Sequence, residues 1–228
     1  MRTVSGAVGM RSWQRTTAVA CTALVGLLVP GAAHAQAAQR AELPLREAVA
    51  ALPVADEQRE GYDRDLFRHW IDADRDGCNT RAEVLLEEAV EPPEVVDRCT
   101  LVGGSWYSYY DDVTVTEARA LDIDHMVPLA ESWDSGAWSW TPERRQAYAN
   151  DLDEPVALVA VTARSNRSKA DKDPREWLPP HQPAVCRYVV AWVTVKTRWA
   201  LTVDPAERDV LTGLAAGCPN EPISVEPA

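Results

Sequence analysis

The stretches LDIDHMVPL at residues 121–129 and ARSNRSKADKDPREWLPP at residues 163–180 decide the fold of this chain. In the first, an apolar segment of alternating polarity ends in the adjacent pair Asp124 and His125. The second opens a short helical pattern that carries Asn166. Adjacent residues of a strand point to opposite faces of a sheet, so we expect Asp124 and His125 to have different roles. One can hold a hard cation through oxygen, while the other, as a neutral imidazole, can take a proton from water.

The amino terminus has the pattern of a secretory signal peptide at residues 1–35. Basic residues precede an apolar run at 18–29, and the small-x-small sequence AHA follows at 33–35. The run is shorter than a membrane span, although a retained anchor helix is the alternative. No later apolar run is long enough to span, so we expect a secreted, extracellular protein that is soluble and free of the membrane after cleavage. Residues 36–56 should form a flexible leader and a short helix.

Charge is distributed unevenly along the chain, whose formal net charge of −12 argues against a simple nucleic-acid-binding protein. Residues 36–163 carry 11 basic and 27 acidic side chains, whereas residues 164–198 carry eight basic and three acidic ones. Positive charge therefore collects beside the second stretch, where a bound phosphate would have to lie. A helix whose solvated face happens to be basic is the alternative explanation.

Four cysteines remain once the predicted signal, with Cys21, is removed. An even number of cysteines in an exported chain predicts two disulfides. The four are Cys78, Cys99, Cys186 and Cys218. Sequence alone allows three pairings. The chain has no C-x-x-C motif, so we expect no zinc site clamped by cysteines.

Residues 72–83, DADRDGCNTRAE, satisfy the D-x-D-x-D-G-x5-E pattern of an EF-hand calcium loop. The expected oxygen ligands are Asp72, Asp74, Asp76 and Glu83. Helical patterns on both sides, including a strong one at 57–73, predict the flanking helices. Three interpretations stay open: a structural Ca²⁺ site, a metal-free loop of Asx turns, and a loop that places Arg81 near a scissile phosphate. A guanidinium group there would stabilise the charge that develops on the phosphate.

The predicted element order around the two stretches is strand at 121–124, excursion, strand at 156–161 and helix at 163–170. A β-hairpin or small meander is predicted at 100–116. Further helices are predicted at 45–52, 57–73, 141–150, 184–203 and 205–216, with a helix and turn at 130–140. Residues 219–228 should form a tail.

The string D-x-D-H-x-x-P-L, followed by N-R-S-K-x-D-x-D-P-x-E-W-L-P-P, resembles the HNH (His-Me finger) endonucleases. It looks most like the secreted actinobacterial branch related to the C-terminal domain of GmrSD-type restriction endonucleases. The resemblance covers roughly residues 62–218. It implies an α+β fold: a single disulfide-stapled domain at 57–218, with a ββα-metal finger at 121–170 surrounded by helices and a small β-hairpin or meander. It also suits the local pairings Cys78–Cys99 and Cys186–Cys218, which we favour.

The resemblance also implies the chemistry of the site. Mg²⁺ or Mn²⁺ would lie between Asp124 and the side-chain oxygen of Asn166, and His125 would take a proton from the attacking water. Lys169, nearly one helical turn from Asn166, would hold phosphate. The structural alternatives are a strand-end acid beside a structural histidine, and Asn166 as a helix N-cap.

The sequence departs from the HNH pattern at the middle asparagine, which orients the histidine in other fingers. Residues 156–158 read Val-Ala-Leu at that place. Asn150 is the nearest substitute, although it is equally well explained as a helix C-cap. If Asn150 does not reach His125, a backbone carbonyl would orient the ring.

The predicted function is therefore a secreted metal-dependent endonuclease of low sequence specificity that hydrolyses phosphodiester bonds. DNA is the favoured substrate and RNA the alternative. A second hypothesis is a non-catalytic extracellular calcium-binding module on an HNH-like scaffold. The sequence carries no prediction of oligomeric state.

Overall fold

A computed structural model describes residues 41–228 of the chain, so the predicted signal peptide at 1–35 lies outside the described residues. The described part contains seven α-helices: α1 (Leu45–Ala51), α2 (Thr80–Glu87), α3 (Leu129–Asp134), α4 (Pro142–Ala149), α5 (Ala163–Lys169), α6 (Val185–Arg198) and α7 (Pro205–Ala216). It also contains nine short strands: β1 (Ala41–Pro44), β2 (Ala89–Glu91), β3 (Glu94–Val96), β4 (Thr100–Val102), β5 (Ser105–Ser108), β6 (Val113–Val115), β7 (Leu121–His125), β8 (Leu158–Thr162) and β9 (Pro222–Val225).

The strands form four small antiparallel sheets rather than one large one. Their orders are β1–β9, β2–β5–β6, β3–β4 and β7–β8. The β5–β6 pair agrees with the hairpin or meander predicted at 100–116. None of the helices in residues 41–228 has the length and apolar character needed to cross a membrane. The mixed helix-and-sheet class expected from the sequence is confirmed.

The pair β7–β8, followed at once by α5, positions the two stretches at residues 121–129 and 163–180. Asp124 pairs with Val159 and His125 with Leu158 across the antiparallel ladder. Helix α5 begins immediately after β8 because the Thr162 side chain accepts a hydrogen bond from Ser165 N and so caps the first turn. The predicted order of strand, excursion, strand and helix is therefore present.

Both faces of the β7–β8 pair are buried, so alternate residues of each strand enter different clusters. Val159 and Val161 belong to the larger apolar cluster, which includes residues of α1, α6 and α7. Leu158 and Ala160 face a smaller cluster that includes Trp106. Because both faces are buried, the polar side chains of β7 reach a cavity at the carboxyl end of the strand.

The two disulfides have the favoured pairing. Cys78 and Cys99 have Cα atoms 5.1 Å apart, and Cys186 and Cys218 have Cα atoms 5.5 Å apart. Each closes a loop of moderate length, for which the chain-entropy account gives about 3 kcal/mol of stabilisation. The first joins the loop before α2 to the β3–β4 turn, and the second joins the start of α6 to Cys218, two residues beyond the end of α7.

The helix predicted at 57–73 is wrong. Only the 3₁₀ turn Arg64–Leu66 forms there, and the backbone has positive φ at Gly61 and Trp70, which a helix cannot accommodate. The apolar residues at helical spacing do not form one buried stripe, since Phe67 is buried by tertiary contacts whereas Leu66 is exposed. Phe67 packs edge-on against Trp133 with ring centroids 6.4 Å apart.

The predictions for the two ends of the described chain are also wrong in part. Strand β1, at the end of the expected flexible leader, pairs residue by residue with β9, inside the expected tail. Each segment has only four residues and includes a proline, so neither is recognisable as a strand alone, and each forms a strand by pairing with the other. Helix α1 forms within the range predicted for it.

Candidate functional site

The carboxyl end of β7 opens onto a cavity of about 470 Å³. Asp124, His125 and Asn166 all line it, so the carboxylate, the imidazole and the carboxamide singled out in the sequence lie together. Asn166 reaches the cavity because α5 packs against β7. Two arginines, Arg64 and Arg167, line the same cavity, together with a second aspartate, Asp171.

Asp124 is almost completely buried and is held by two partners. Lys169 Nζ lies 2.8 Å from its Oδ1 and 2.7 Å from its Oδ2, and the Tyr110 hydroxyl donates to Oδ2 at 2.6 Å. Burial raises the pKa of the Asp124 carboxyl, while the charge and hydrogen bonds of Lys169 act to lower it. The carboxylate is therefore fixed in orientation before any ligand binds.

Lys169 does not face the cavity, contrary to the prediction that it holds phosphate. Its side chain is fully buried, and Nζ also donates to the His125 carbonyl oxygen at 2.8 Å. Burial lowers the pKa of Lys169, and the adjacent Asp124 charge opposes that change. The helical spacing from Asn166 predicted the side of α5 correctly, but the ammonium group is fully occupied by hydrogen bonds to Asp124 and to the His125 carbonyl at the end of β7.

His125 is oriented by a backbone carbonyl. Its Nε2 lies 3.0 Å from the Ala149 carbonyl oxygen, which can only accept, so the imidazole carries its proton on Nε2. No hydrogen bond to Nδ1 comes from residues 41–228. Burial lowers the pKa of His125 to about 3, so the ring is neutral at physiological pH and Nδ1 is a free proton acceptor.

Aromatic rings enclose the imidazole of His125. The Trp70 ring stacks on it with centroids 5.4 Å apart and planes inclined by 30°, and Tyr148 lies 6.5 Å away on a nearly parallel plane. These rings remove water from the imidazole, which is the physical cause of its lowered pKa. The ring is consequently rigid as well as neutral.

The Asn150 side chain does not contact His125, and the ring is held instead by a backbone carbonyl, the alternative stated from the sequence. Asn150 Oδ1 accepts hydrogen bonds from Ile71 N at 3.1 Å and Thr80 Oγ1 at 2.8 Å. Its amide nitrogen donates to the carbonyls of Arg68 at 2.8 Å and Gln146 at 2.7 Å. Asn150 thus ties the end of α4 to the preceding loop, next to the carbonyl of residue 149 that holds the histidine.

Asn166 is not a helix N-cap, since Thr162 has that role. The Asn166 amide nitrogen donates to Asp122 Oδ2 at 3.2 Å, and Arg167 Nε lies 3.4 Å from the same oxygen. Asn166 Oδ1 accepts no hydrogen bond from residues 41–228. Asp122 was missed in the sequence analysis, although it stands two residues before Asp124 on the same face of β7.

Arg81 lies away from this cavity. Its Nη2 donates to the carbonyls of Ala118 at 2.9 Å and Leu121 at 3.0 Å, and it lines a different cavity. The geometry therefore does not support its placement at a scissile phosphate beside His125. Tyr110 and Arg64, by contrast, lie at the site although nothing in the sequence indicated it. The sequence pattern predicted Tyr110 as a packing residue of the hairpin or meander, and Arg64 as part of a helix.

The loop at 72–83 has features of a Ca²⁺ site and features of a metal-free loop of Asx turns. One ligand atom from each of Asp72, Asp74 and Asp76 lies within 4.8 Å of the others, and all three residues are exposed. Asp72 accepts from Gly77 N at 3.1 Å, as expected for a turn closed by side chains. The entering helix of an EF-hand is missing, because 57–73 is not helical. Glu83 is not among the clustered ligands, although burial and the three aspartates raise its pKa.

The donors at the candidate site suit a hard divalent cation that keeps most of its waters. Asp124 Oδ1 accepts one hydrogen bond and retains a lone pair, and the side-chain oxygen of Asn166 is unused within the described chain. Mg²⁺ commonly takes only one or two protein ligands. Zinc sites in proteins usually have three or four His, Cys, Asp or Glu ligands. Within residues 41–228, the groups of three such residues that are close enough to share an ion lie away from this cavity, so its donors do not suit zinc.

Comparison with known proteins identifies one matching family and a similar secreted protein. Residues 73–214 match the family of GmrSD restriction endonucleases, C-terminal domain. An uncharacterized secreted protein of Arthroderma benhamiae is 44% identical over 160 residues, which cover 70% of this chain and 77% of that relative. No solved structure matches. The matched range contains β7, β8 and α5, and so includes Asp124, His125 and Asn166.

Proposed function

Since the chain belongs to the family of GmrSD restriction endonuclease C-terminal domains, we propose that it is a secreted, metal-dependent endonuclease of the HNH type. It hydrolyses phosphodiester bonds of DNA, with RNA as the alternative substrate, and has low sequence specificity. The observation that carries the proposal is a neutral imidazole with a free Nδ1, in one cavity with Asp124 and Asn166. The secreted relative and the signal pattern at 1–35 support an extracellular location.

In this mechanism His125 takes a proton from the attacking water through Nδ1. The Ala149 carbonyl holds the ring in the required tautomer, in the way that a third group orients the base in other hydrolases. Arg64 and Arg167 line the cavity and attract the phosphate.

Asp124 and Asn166 are the residues that would hold Mg²⁺ or Mn²⁺. When bound, the cation would stabilise the charge that accumulates on the phosphate and the leaving oxygen. Lys169 and Tyr110 keep Asp124 in place, which is the role of groups that contact a metal ligand without contacting the metal.

Plasmid cleavage tests the proposal. The oxidised protein is incubated with supercoiled DNA, or with RNA, in Mg²⁺, Mn²⁺, Ca²⁺ or a chelator, and nicking is followed on gels. We expect cutting that the chelator abolishes and that His125→Ala reduces at least about 100-fold, as for loss of a general base. His181→Ala is the matched control, because His181 does not line the cavity. Undiminished cutting by His125→Ala would assign the chemistry to another residue.

The second candidate function is the non-catalytic calcium-binding module, which the clustering of Asp72, Asp74 and Asp76 favours. In that case Ca²⁺ raises the thermal unfolding midpoint of the wild type, and Asp72→Ala removes the rise. This result, combined with no cleavage of DNA or RNA in any metal, would replace the endonuclease proposal. Calcium stabilisation together with cleavage would instead make the loop a structural part of the enzyme.

A further inference from the structure

A second cavity, of about 490 Å³, lies near the start of β7, at the opposite end of the strand from His125. Three arginines line it, Arg81, Arg98 and Arg119, and we call it the arginine cavity. No aspartate or glutamate is among its lining residues, although the chain as a whole has a net charge of −12. Such a local reversal of charge is typical of a binding site for anions.

The three guanidinium groups differ in how firmly they are held. Arg81 is half-buried and fixed by the Ala118 and Leu121 carbonyls, which use only its Nη2. Arg98 is exposed and forms no ion pair or side-chain hydrogen bond with residues 41–228. Arg119 is exposed and pairs with Glu117 at 2.7 Å. One anchored guanidinium and two that can move suit an anion with several oxygens, because each presents a fork of N–H donors.

The walls of the arginine cavity are joined covalently. The Cys78–Cys99 disulfide links the start of α2, which carries Arg81, to the β3–β4 turn, which carries Arg98. Helix α2 also begins at the cavity, so its partial positive charge adds to that of the arginines. The nearby acidic loop ends at Gly77, and Asp72 and Asp76 there turn back to accept hydrogen bonds from backbone amides.

We propose that the arginine cavity binds a backbone phosphate of the same nucleic acid whose scissile phosphate lies at His125, an inference that rests on the endonuclease function proposed above. Arg81 contacts the carbonyl of Leu121, at the start of β7, and His125 ends the strand. Four residues of strand at about 3.3 Å each separate them by about 13 Å. This distance is short enough for both phosphates to belong to one bound duplex, so the contacted phosphate is within a few nucleotides of the cut.

Binding of a fluorescent 20-base-pair duplex to His125→Ala tests the inference without cleavage, in chelator and over a range of salt concentrations. In that background, Arg98→Ala/Arg119→Ala should weaken the Kd about tenfold near 0.1 M salt and make the salt slope shallower by about 1. Both side chains are exposed, so the fold should persist, as checked by circular dichroism. Arg98→Lys/Arg119→Lys should keep most of the affinity, because the charge remains.

Arg175→Ala is a control for the loss of a single surface charge, since Arg175 is exposed and lines neither cavity. It removes one positive charge and should change Kd less than twofold. In the otherwise wild-type enzyme, hydrolysis of bis(p-nitrophenyl) phosphate should be unaffected by Arg98→Ala/Arg119→Ala, because this small diester reaches only the cavity at His125.

The outcomes separate this inference from the proposed function. Absence of duplex binding, or a Kd and salt slope unchanged by Arg98→Ala/Arg119→Ala, would overturn the arginine cavity as a phosphate site even if plasmid is cut. Weakened binding in that variant would support the site even if the wild type cuts nothing, in which case only the hydrolytic function fails.

Discussion

Two lysines of this protein, Lys169 and Lys196, are fully buried in ion pairs with different charge balances. Lys169 contacts one carboxylate, Asp124, at the candidate site, whereas Lys196 contacts two, Glu131 and Glu207, at 2.8 and 2.7 Å. Burial acts to lower the pKa of both ammonium groups. It prevails for Lys169, while the two carboxylates outweigh it and raise the pKa of Lys196. Charge balance, and not burial, separates the two.

The two clusters consequently have different uses. Around Lys196 the two carboxylates outnumber the single cation. Burial raises the pKa of Glu207 to about 7, although the attraction of Lys196 acts to lower it, so protonation of Glu207 reduces the excess negative charge. Trp192 and Ser135 complete the hydrogen bonds of this core cluster, which contacts no cavity described above. Around Lys169 the charges are matched, and Asp124 reaches the cavity. We infer that Lys196 stabilises the fold and that Lys169 positions Asp124.

The largest expected effect is that of Lys196→Met, which leaves two carboxylates buried without their cation. The free energy of unfolding should fall by about 3–5 kcal/mol, the usual result of breaking a buried ion pair. Denaturant unfolding with intact disulfides measures it. The control is Lys172→Met, because Lys172 donates only to the Ser168 carbonyl at the surface and its loss should cost about 0.5 kcal/mol or less. A loss equal to that control would mean that the core cluster needs no cation.

Lys169→Met should affect activity more than stability. The single carboxylate left behind can take up a proton, so the unfolding free energy falls less than for Lys196→Met. The cutting rate per folded molecule should fall about 10–100-fold, because Asp124 loses its orientation. Plasmid nicking by folded fractions of both variants measures the difference. Equal rate losses in Lys169→Met and Lys196→Met would remove the functional distinction between the two lysines.

Glu207→Gln should change how stability depends on pH. The pKa of Glu207 is raised from 4.5 to about 7 in the folded state, so its protonation stabilises the fold fully below pH 4.5. That contribution is lost as the pH rises through 7. The unfolding free energy of Glu207→Gln minus that of the wild type should therefore increase from pH 5 to pH 8, by about 1–3 kcal/mol. A constant difference over this range would place the extra proton elsewhere.

The smallest effect is expected from Trp192→Phe. The Trp192 ring lies 5.9 Å from Lys169 Nζ and 5.5 Å from Lys196 Nζ, and its Nε1 donates to Glu207 at 2.6 Å. Phenylalanine keeps an aromatic face near both ammonium groups but removes the donor, so stability should fall by about 1–2 kcal/mol. Urea unfolding measures this change, and the cutting rate should remain within twofold. A large rate loss would mean that the ring couples the core cluster to the site.

Local sequence patterns predicted much of the framework around the site. The strands at 121–124 and 156–161 and the helix at 163–170 follow from short-range periodicity and agree with β7, β8 and α5 within a few residues. The same holds for α4 and α7, each marked by an N-cap followed by proline. Such signals depend on neighbours within one or two turns, which is why they survive without tertiary information.

The failures arose where distant residues override a local pattern. The helical spacing at 57–73 reflects burial of Phe67 against Trp133, which lies far along the chain, and positive φ at Gly61 and Trp70 interrupts the helix. Strand β1 forms only because β9 supplies its hydrogen bonds. Periodicity within either segment carries no information about such a partner.

By itself the sequence determined that a carboxylate and an imidazole stand at the end of one strand, and that Asn166 lies on a helix that follows later in the chain. It also determined which residue types could bind a cation. Tertiary structure alone decided how those groups are used. Lys169 turned inward to Asp124, and the Ala149 carbonyl took the place of an asparagine side chain beside His125. Hydrogen bonds between segments distant in sequence depend on burial and packing, and local periodicity does not encode them.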